Sequence, residues 1–276
     1  EMPAINLNGA NILYNEYGKE KNGNDKQHLL FIHGLGSSSI AWRDIPDALS
    51  GNFHTIAVDL IGFGGSDKPK TADYTIKGLC MFIVDFIRKG IKIGKNEKIC
   101  IVGHSLGGYI ASEVAIENKD LIEKIVLIDS SGMLDGPTPL LEQYLAAATE
   151  TNPIIRYDKI KRVFEDMYAS PSRLLPLVID LFNYVIEKPG ARHAFESAFY
   201  DSTTTKIESQ RLRQIENIPC LIIWGIEDNL IPLAYANKFT QVLQQAEFEK
   251  IADAGHSPFV ERTAKVYERL RTFLIK

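Results

Sequence analysis

Apolar positions along this chain follow two rhythms. Uninterrupted runs, LLFI at 29–32, ICIV within 98–102, IVLI at 125–128 and LIIW at 221–224, are too short for helices and rich in β-branched side chains, so they predict buried strands. HTIAV at 54–58 and FEKI at 248–251 predict two more. Between the strands a helical rhythm takes over: Leu79, Phe82, Ile83, Phe86 and Ile87 repeat at i, i+3, i+4 within residues 74–89, one face of an amphipathic helix. Residues 40–49 and 106–117 predict further helices. At the start, residues 5–17 alternate apolar and polar around Asn8-Gly9, a two-residue turn signal for a β-hairpin at the sheet edge. The polar, glycine-containing stretch 19–26 predicts a surface loop.

From Gly132 to about Ile215 the alternation of strand and helix stops. Short helical patterns follow one another, separated by Pro137, Pro139, Pro153, Pro171, Pro176 and Pro189. The expected organisation is therefore a first core segment at 1–131, an inserted helical cap at 132–215 and a second core segment at 216–276. Cap side chains such as Leu141, Tyr144, Phe164, Leu181, Phe182 and Phe195 must mostly pack against one another or the core. The remainder are expected to line an apolar pocket at the junction, where small-molecule sites tend to form.

With 276 residues, 45% hydrophobic and 24% charged, the chain can build one large core. Its formal net charge of -4 and the lack of a Lys/Arg block argue against a nucleic-acid partner. Cys80, Cys100 and Cys220, odd in number and set among apolar neighbours, read as buried free thiols suited to a reducing compartment. Residues 1–4 carry no basic stretch leading into an apolar run, so no signal peptide is expected. No apolar run approaches about 18 residues, so no spanning helix is expected either, and the location expected is cytoplasmic.

The chemistry enters at residues 103–107, where the run ending in Val102 gives way to Gly103-His104-Ser105-Leu106-Gly107 and then to a helical pattern. A G-x-S-x-G turn between strand and helix holds its serine in a strained, exposed bend that leaves no room for a Cβ two positions to either side. Ser105 is thus the candidate nucleophile. A serine hydroxyl needs a base, and the base needs an orienting acid. Asp228 follows the strand run at 221–224, and His256 follows the run at 248–251. The chain order Ser, acid, His differs from that of chymotrypsin-like and subtilisin-like enzymes. At the first helical position, the Leu106 backbone N–H supplies an oxyanion donor where the helix dipole also favours negative charge.

With HGLG at 33–36, DLIGFGGSD at 59–67, GHSLGG at 103–108, WGIED at 224–228 and AGHSPFVE at 254–261, the chain resembles the α/β-hydrolases over nearly its whole length. The resemblance implies a mostly parallel eight-stranded sheet flanked by helices, with the Ser105, Asp228 and His256 triad on loops at strand ends. It also implies a second oxyanion donor, the Leu35 backbone N–H, in a loop that Gly34 and Gly36 keep clear of side chains. Asp129 is the rival acid, because some relatives carry theirs at that strand end. His33, His104 and His193 read as structural or surface residues, with the His104 side chain pointing away from Ser105. Glu227 reads as solvated and Glu261 as a helix anchor, while Ser257-Pro258 suits N-cap and N1 of a helix.

The six histidines show no H-E-x-x-H spacing, so no metal is expected, and the glycine-rich turn at 62–66 lacks the lysine of a phosphate loop. No cofactor is implied. A serine nucleophile sets the chain apart from the epoxide hydrolases and haloalkane dehalogenases, which attack with aspartate. The expected reaction is hydrolysis of a small apolar carboxylic ester, of short or medium acyl chain or a monoacylglycerol, through an acyl-enzyme. The alternatives are carbon–carbon hydrolysis of vinylogous diketones, whose enzymes commonly carry Asn where His104 stands, perhydrolase or haloperoxidase chemistry, and a ligand receptor on the same fold.

Overall fold

The computed structural model describes residues 2–19, 26–94 and 96–276; most of the loop expected at 19–26 lies outside them. Eight strands, β1 (Ala4–Leu7), β2 (Ala10–Tyr17), β3 (Gln27–Ile32), β4 (Phe53–Val58), β5 (Ile99–His104), β6 (Ile122–Ile128), β7 (Cys220–Gly225) and β8 (Glu247–Ile251), form one sheet in the order β1-β2-β4-β3-β5-β6-β7-β8. The β1-β2 and β2-β4 pairs are antiparallel and all others parallel. At the hairpin, Asn8 and Gly9 both take positive φ, 53° and 89°, as a tight turn between twisted strands requires.

The apolar runs are continuous because both faces of the sheet are covered. Successive side chains of a strand point to opposite faces, and the core divides accordingly. Leu30, Ile32, Ile99 and Ile101 join the cluster packed by α2 (Ile76–Asp85) and α3 (Leu106–Glu117). Leu29, Phe31, Cys100 and Val102 face the cluster closed by Trp42, Leu49 and the last helix. Cys100 and Cys220 are buried free thiols, their pKa values pushed up to about 12 by burial. Cys80 is half-buried and also free.

The remaining helices are α1 (Ile45–Leu49), α4 (Pro139–Ala148), α5 (Pro153–Met167), α6 (Pro176–Ile186), α7 (Ala191–Thr204), α8 (Ser209–Leu212), α9 (Ala234–Val242), α10 (Pro258–Glu261) and α11 (Thr263–Ile275). Helices α4 to α8 all fall between β6 and β7. Between α7 and α8 the chain returns to the segment after β6, where the Ile207 N–H donates to the Gly132 carbonyl at 2.7 Å.

Two expected helices are subdivided. Residues 40–49 form a 3-10 turn, Ser39–Trp42, and then α1, because Arg43 between them takes φ 52°. The 74–89 helix ends as α2 at Asp85 and continues as a π-helical turn, Phe86–Gly90. Among the described residues, no helix is long and apolar enough to cross a membrane.

Candidate active site

Ser105 sits between β5 and α3 with φ 53° and ψ -118°, a sparsely populated conformation for a residue with a side chain. Its surroundings enforce it. The Ser105 N–H donates to the Ile128 carbonyl at 3.0 Å, and its carbonyl accepts from the Ser131 N–H and the Ser131 hydroxyl, each at 3.1 Å. A Cβ on Gly103 would overlap the Gly107 carbonyl, and one on Gly107 would overlap the Ile32 carbonyl. The turn is therefore wedged between the ends of β3 and β6. Strand β5 also runs two residues further than the apolar run at its core, so that Gly103 and His104 belong to it.

The acid and the imidazole come from loops after β7 and β8. His256 Nδ1 donates to Asp228 Oδ2 at 2.8 Å, while Asp228 Oδ1 accepts from the Leu230 and Ile231 N–H groups at 2.8 and 3.0 Å. Nδ1 carries the proton, since an ionised carboxylate only accepts. The lone pair on Nε2 is then free to act as a base. His256 is held by its own backbone as well: its N–H donates to Met167 at the end of α5, and its carbonyl accepts from His104 Nε2 at 2.7 Å. Ser105 and His256 line one cavity of about 370 Å³. Among the described residues, no hydrogen bond joins the Ser105 hydroxyl to the His256 ring.

Leu35 lines the same cavity. The loop carrying it packs on the serine so closely that a Cβ on Gly34 would stand 3.1 Å from Ser105 Cβ. Leu106 opens α3, so its N–H has no acceptor four residues back within the helix. The opposite wall comes from Leu141 and Tyr144 of α4, Phe164 and Met167 of α5, and Leu177, Leu181 and Phe182 of α6. Arg43 and Arg173 also line it.

The histidines divide by environment. His33 is buried with Nδ1 on the Gly34 carbonyl at 2.8 Å and Nε2 accepting the Leu60 N–H at 3.0 Å. Accepting at one nitrogen and donating at the other fixes a neutral ring, and burial holds its pKa below the usual value. His104 is likewise held well below it, by burial and by the neighbouring His256. Its ring packs among Trp42, Phe259 and His256, and the residue also borders the cavity. The ring is buried at the end of β5, its centroid 4.7 Å from that of the His256 ring. His193 is exposed and meets the edge of Tyr74.

Of the other acids, Glu227 is exposed but also accepts the Ala254 N–H at 3.1 Å. Glu261 is buried and accepts the Gly255 N–H at 2.7 Å and the Ala169 N–H at 3.0 Å, tying the His256 loop to the end of α5. Burial raises its pKa. Asp129 is buried beside the Asp228-His256 pair. Asp129, Asp228 and His256 form the one cluster among the described residues with three potential metal ligands close together. Asp228 already spends both oxygens on N–H donors, and His256 Nδ1 is spent on Asp228, so this donor set is committed within the protein. Tyr144 went unremarked in the sequence except as an apolar member; its hydroxyl donates to the Leu35 carbonyl at 3.1 Å. Nothing in the local pattern distinguishes it from its aromatic neighbours.

Lipase 3 of Moraxella sp. (strain TA144) is 29% identical over 255 residues, spanning 90% of this chain and 78% of the lipase. A 2-hydroxy-6-oxo-6-(2'-aminophenyl)hexa-2,4-dienoic acid hydrolase of Metapseudomonas resinovorans is 24% identical, spanning 98% of this chain and 89% of that protein. Among solved structures, the meta-cleavage product hydrolase of Pseudomonas fluorescens IP01 superposes with a TM-score of 0.83 at 22% identity, over 99% of this chain and 97% of the other. The sequence profile of the alpha/beta hydrolase fold matches residues 27–263. Sheet order, the serine turn and the profile converge, and the chain belongs to the alpha/beta hydrolase fold family.

Proposed function

We propose that the protein is a serine hydrolase that cleaves carboxylic esters through an acyl-enzyme, with Ser105 as nucleophile, His256 as general base and Asp228 as its orienting acid. The observation that carries this reading is the 2.8 Å bond from His256 Nδ1 to Asp228, which leaves the Nε2 lone pair available as a base in a residue that lines the same cavity as Ser105. Ser105 Oγ attacks the ester carbonyl as His256 takes its proton; the imidazolium returns that proton to the departing alcohol, and water repeats the sequence on the acyl-enzyme. Alignment of hydroxyl and ring is completed when substrate fills the site, as such bonds often tighten only in the complex. The Leu35 and Leu106 N–H groups receive the oxyanion, each donor worth roughly 100- to 1000-fold in kcat.

Helices α4 to α8 act as a cap in this reading, and their apolar side chains at the cavity favour an acyl chain of short or medium length or a monoacylglycerol. Lipases among the relatives support the ester class. Arg43 at the cavity favours a second reading, carbon–carbon hydrolysis of an acid substrate whose carboxylate it receives; Arg173, which also lines the cavity, is held by the Asp253 carbonyl at 2.6 Å and Glu261 at 3.5 Å. Turnover of p-nitrophenyl esters of graded chain length, set against a vinylogous diketone acid, separates the two. Ser105→Ala should lower kcat by about 10⁶ on the preferred substrate; steady turnover by that purified variant overturns the nucleophile assignment. A single burst with no steady state in the wild type would point to a receptor.

A further inference from the structure

Asp129 stands one residue beyond β6, buried, with its backbone at φ 43°. Its Oδ1 accepts the Gly225 N–H at 2.9 Å, and its Oδ2 meets no donor among the described residues. An oxygen of Asp129, an oxygen of Asp228 and a ring nitrogen of His256 nevertheless all lie within 4.8 Å of one another. Two carboxylates beside one imidazole, away from water, do not both hold a negative charge, because neither solvent nor a second cation offsets the repulsion. The hydrogen bonds decide which one is ionised. Asp228 receives three N–H donors, from Leu230, Ile231 and His256, whereas Asp129 receives one. Donors of that kind favour the ionised form, so the negative charge belongs on Asp228 and the proton on Asp129. A hydroxyl on Oδ2 also resolves the orphaned atom, since it needs an acceptor, and the facing acceptor is the Asp228 carboxylate.

Resting on the serine-hydrolase reading above, we propose that Asp129 is a positioning residue for Asp228, a neutral acid whose Oδ2 hydroxyl donates to the Asp228 carboxylate and holds it against His256 Nδ1. The ionisable groups that bear on Asp129 are Asp228 from the loop after β7, His256 from the loop after β8 and Glu261 from α10, the last paired with Arg173 at 3.5 Å. Burial first, and the Asp228 charge second, push the Asp129 carboxyl well above the usual carboxylate range. Loss of its proton at alkaline pH sets a second negative charge behind the ring. Asp228 is then repelled from its position, and an imidazolium, once formed, gives up its proton more reluctantly. Activity accordingly falls on the alkaline side.

The test compares pH profiles of kcat and KM for wild type, Asp129→Asn and Asp129→Leu on a p-nitrophenyl ester. Asp129→Leu should lose roughly tenfold in kcat with KM little changed, since Asp228 loses its donor. Asparagine can still accept from Gly225 and donate to Asp228, so Asp129→Asn should recover the neutral-pH activity that leucine loses and extend it to higher pH. Equal profiles for all three proteins, or an Asp129→Asn variant as inactive as Asp228→Asn, overturns the proposal; the second result would make Asp129 a required anion. Should Asp129→Leu fail to fold, infrared difference spectra of wild type against Asp129→Asn still decide: the carbonyl band of a protonated carboxylic acid must be present at neutral pH in the former and missing in the latter. That band reads Asp129 even if Ser105→Ala retains turnover, so a failure here is distinguishable from a failure of the nucleophile assignment.

Discussion

At Ser105 a backbone that few residues tolerate is held by neighbours with no room to yield. The cost of such a conformation, of order 1–3 kcal/mol, is met by hydrogen bonds to Ile128 and Ser131 and by close packing of two glycines. Gly107→Ala tests how strict that packing is. A methyl group there collides with the Ile32 carbonyl, which is strand backbone and cannot swing aside. Thermal unfolding should show a lower Tm, and esterase activity of the folded fraction should drop at least tenfold as the turn is displaced. These glycines were legible because chemistry that needs a bend leaves a residue signature. Asp228 and His256 were legible for a similar reason, each following an apolar run. What stayed hidden were contacts made by unremarkable residues across long sequence separations. Neither the Tyr144 hydroxyl on the Leu35 carbonyl nor the His104 ring against His256 leaves a local pattern to detect.

At the scale of elements, proline proves to be a start signal in the stretch between β6 and β7. Pro139, Pro153 and Pro176 each occupy the first turn of a helix, where a missing N–H costs nothing and a fixed φ is already helical. Helix α5 combines this with a side-chain cap, Asn152 accepting from the Ile154 and Ile155 N–H groups at 3.0 and 3.2 Å. Replacing Asn152 with alanine should cost about 1 kcal/mol and lower Tm by roughly 2–4 °C, with KM affected more than kcat because α5 walls the cavity but carries none of the three proposed catalytic groups. Helix existence was readable from periodicity, as α3 illustrates by spanning the expected residues. Helix continuity was not. The break at Arg43 depends on a positive φ that no turn residue announces, and the π-helical turn after α2 depends on how Phe86 and Ile87 settle into the core.

For the molecule as a whole, burial of ionisable groups makes stability depend on pH in a direction that can be worked out. His33 and His104 have folded-state pKa values below the ordinary 6.5. Below about pH 6.5 the unfolded chain therefore binds protons that the folded chain refuses, and stability falls as pH falls. Each histidine contributes at most about 1.4 kcal/mol per pH unit, and only between its folded-state pKa and 6.5. Asp129 acts in the opposite sense, keeping a proton that the unfolded chain releases above about pH 4. Chemical denaturation between pH 5 and 8 should show a shallower acid loss in His104→Gln than in wild type, by about the contribution of one histidine. Matching slopes would mean that His104 titrates alike in both states.

The short bond between Ile207 and Gly132 pins together the two ends of the chain segment that supplies the cavity's outer wall. A segment whose ends meet can be exchanged for another of different length without straining the sheet beneath it. Grafting the corresponding helices of a relative at these two points should transfer substrate preference when the graft keeps an acceptor for the His256 N–H at Met167 and a donor to the Leu35 carbonyl at Tyr144; loss of all turnover in a graft that keeps both contradicts this. The same segment thus shapes the cavity and braces the loops of His256 and Leu35, so its replacement touches both at once.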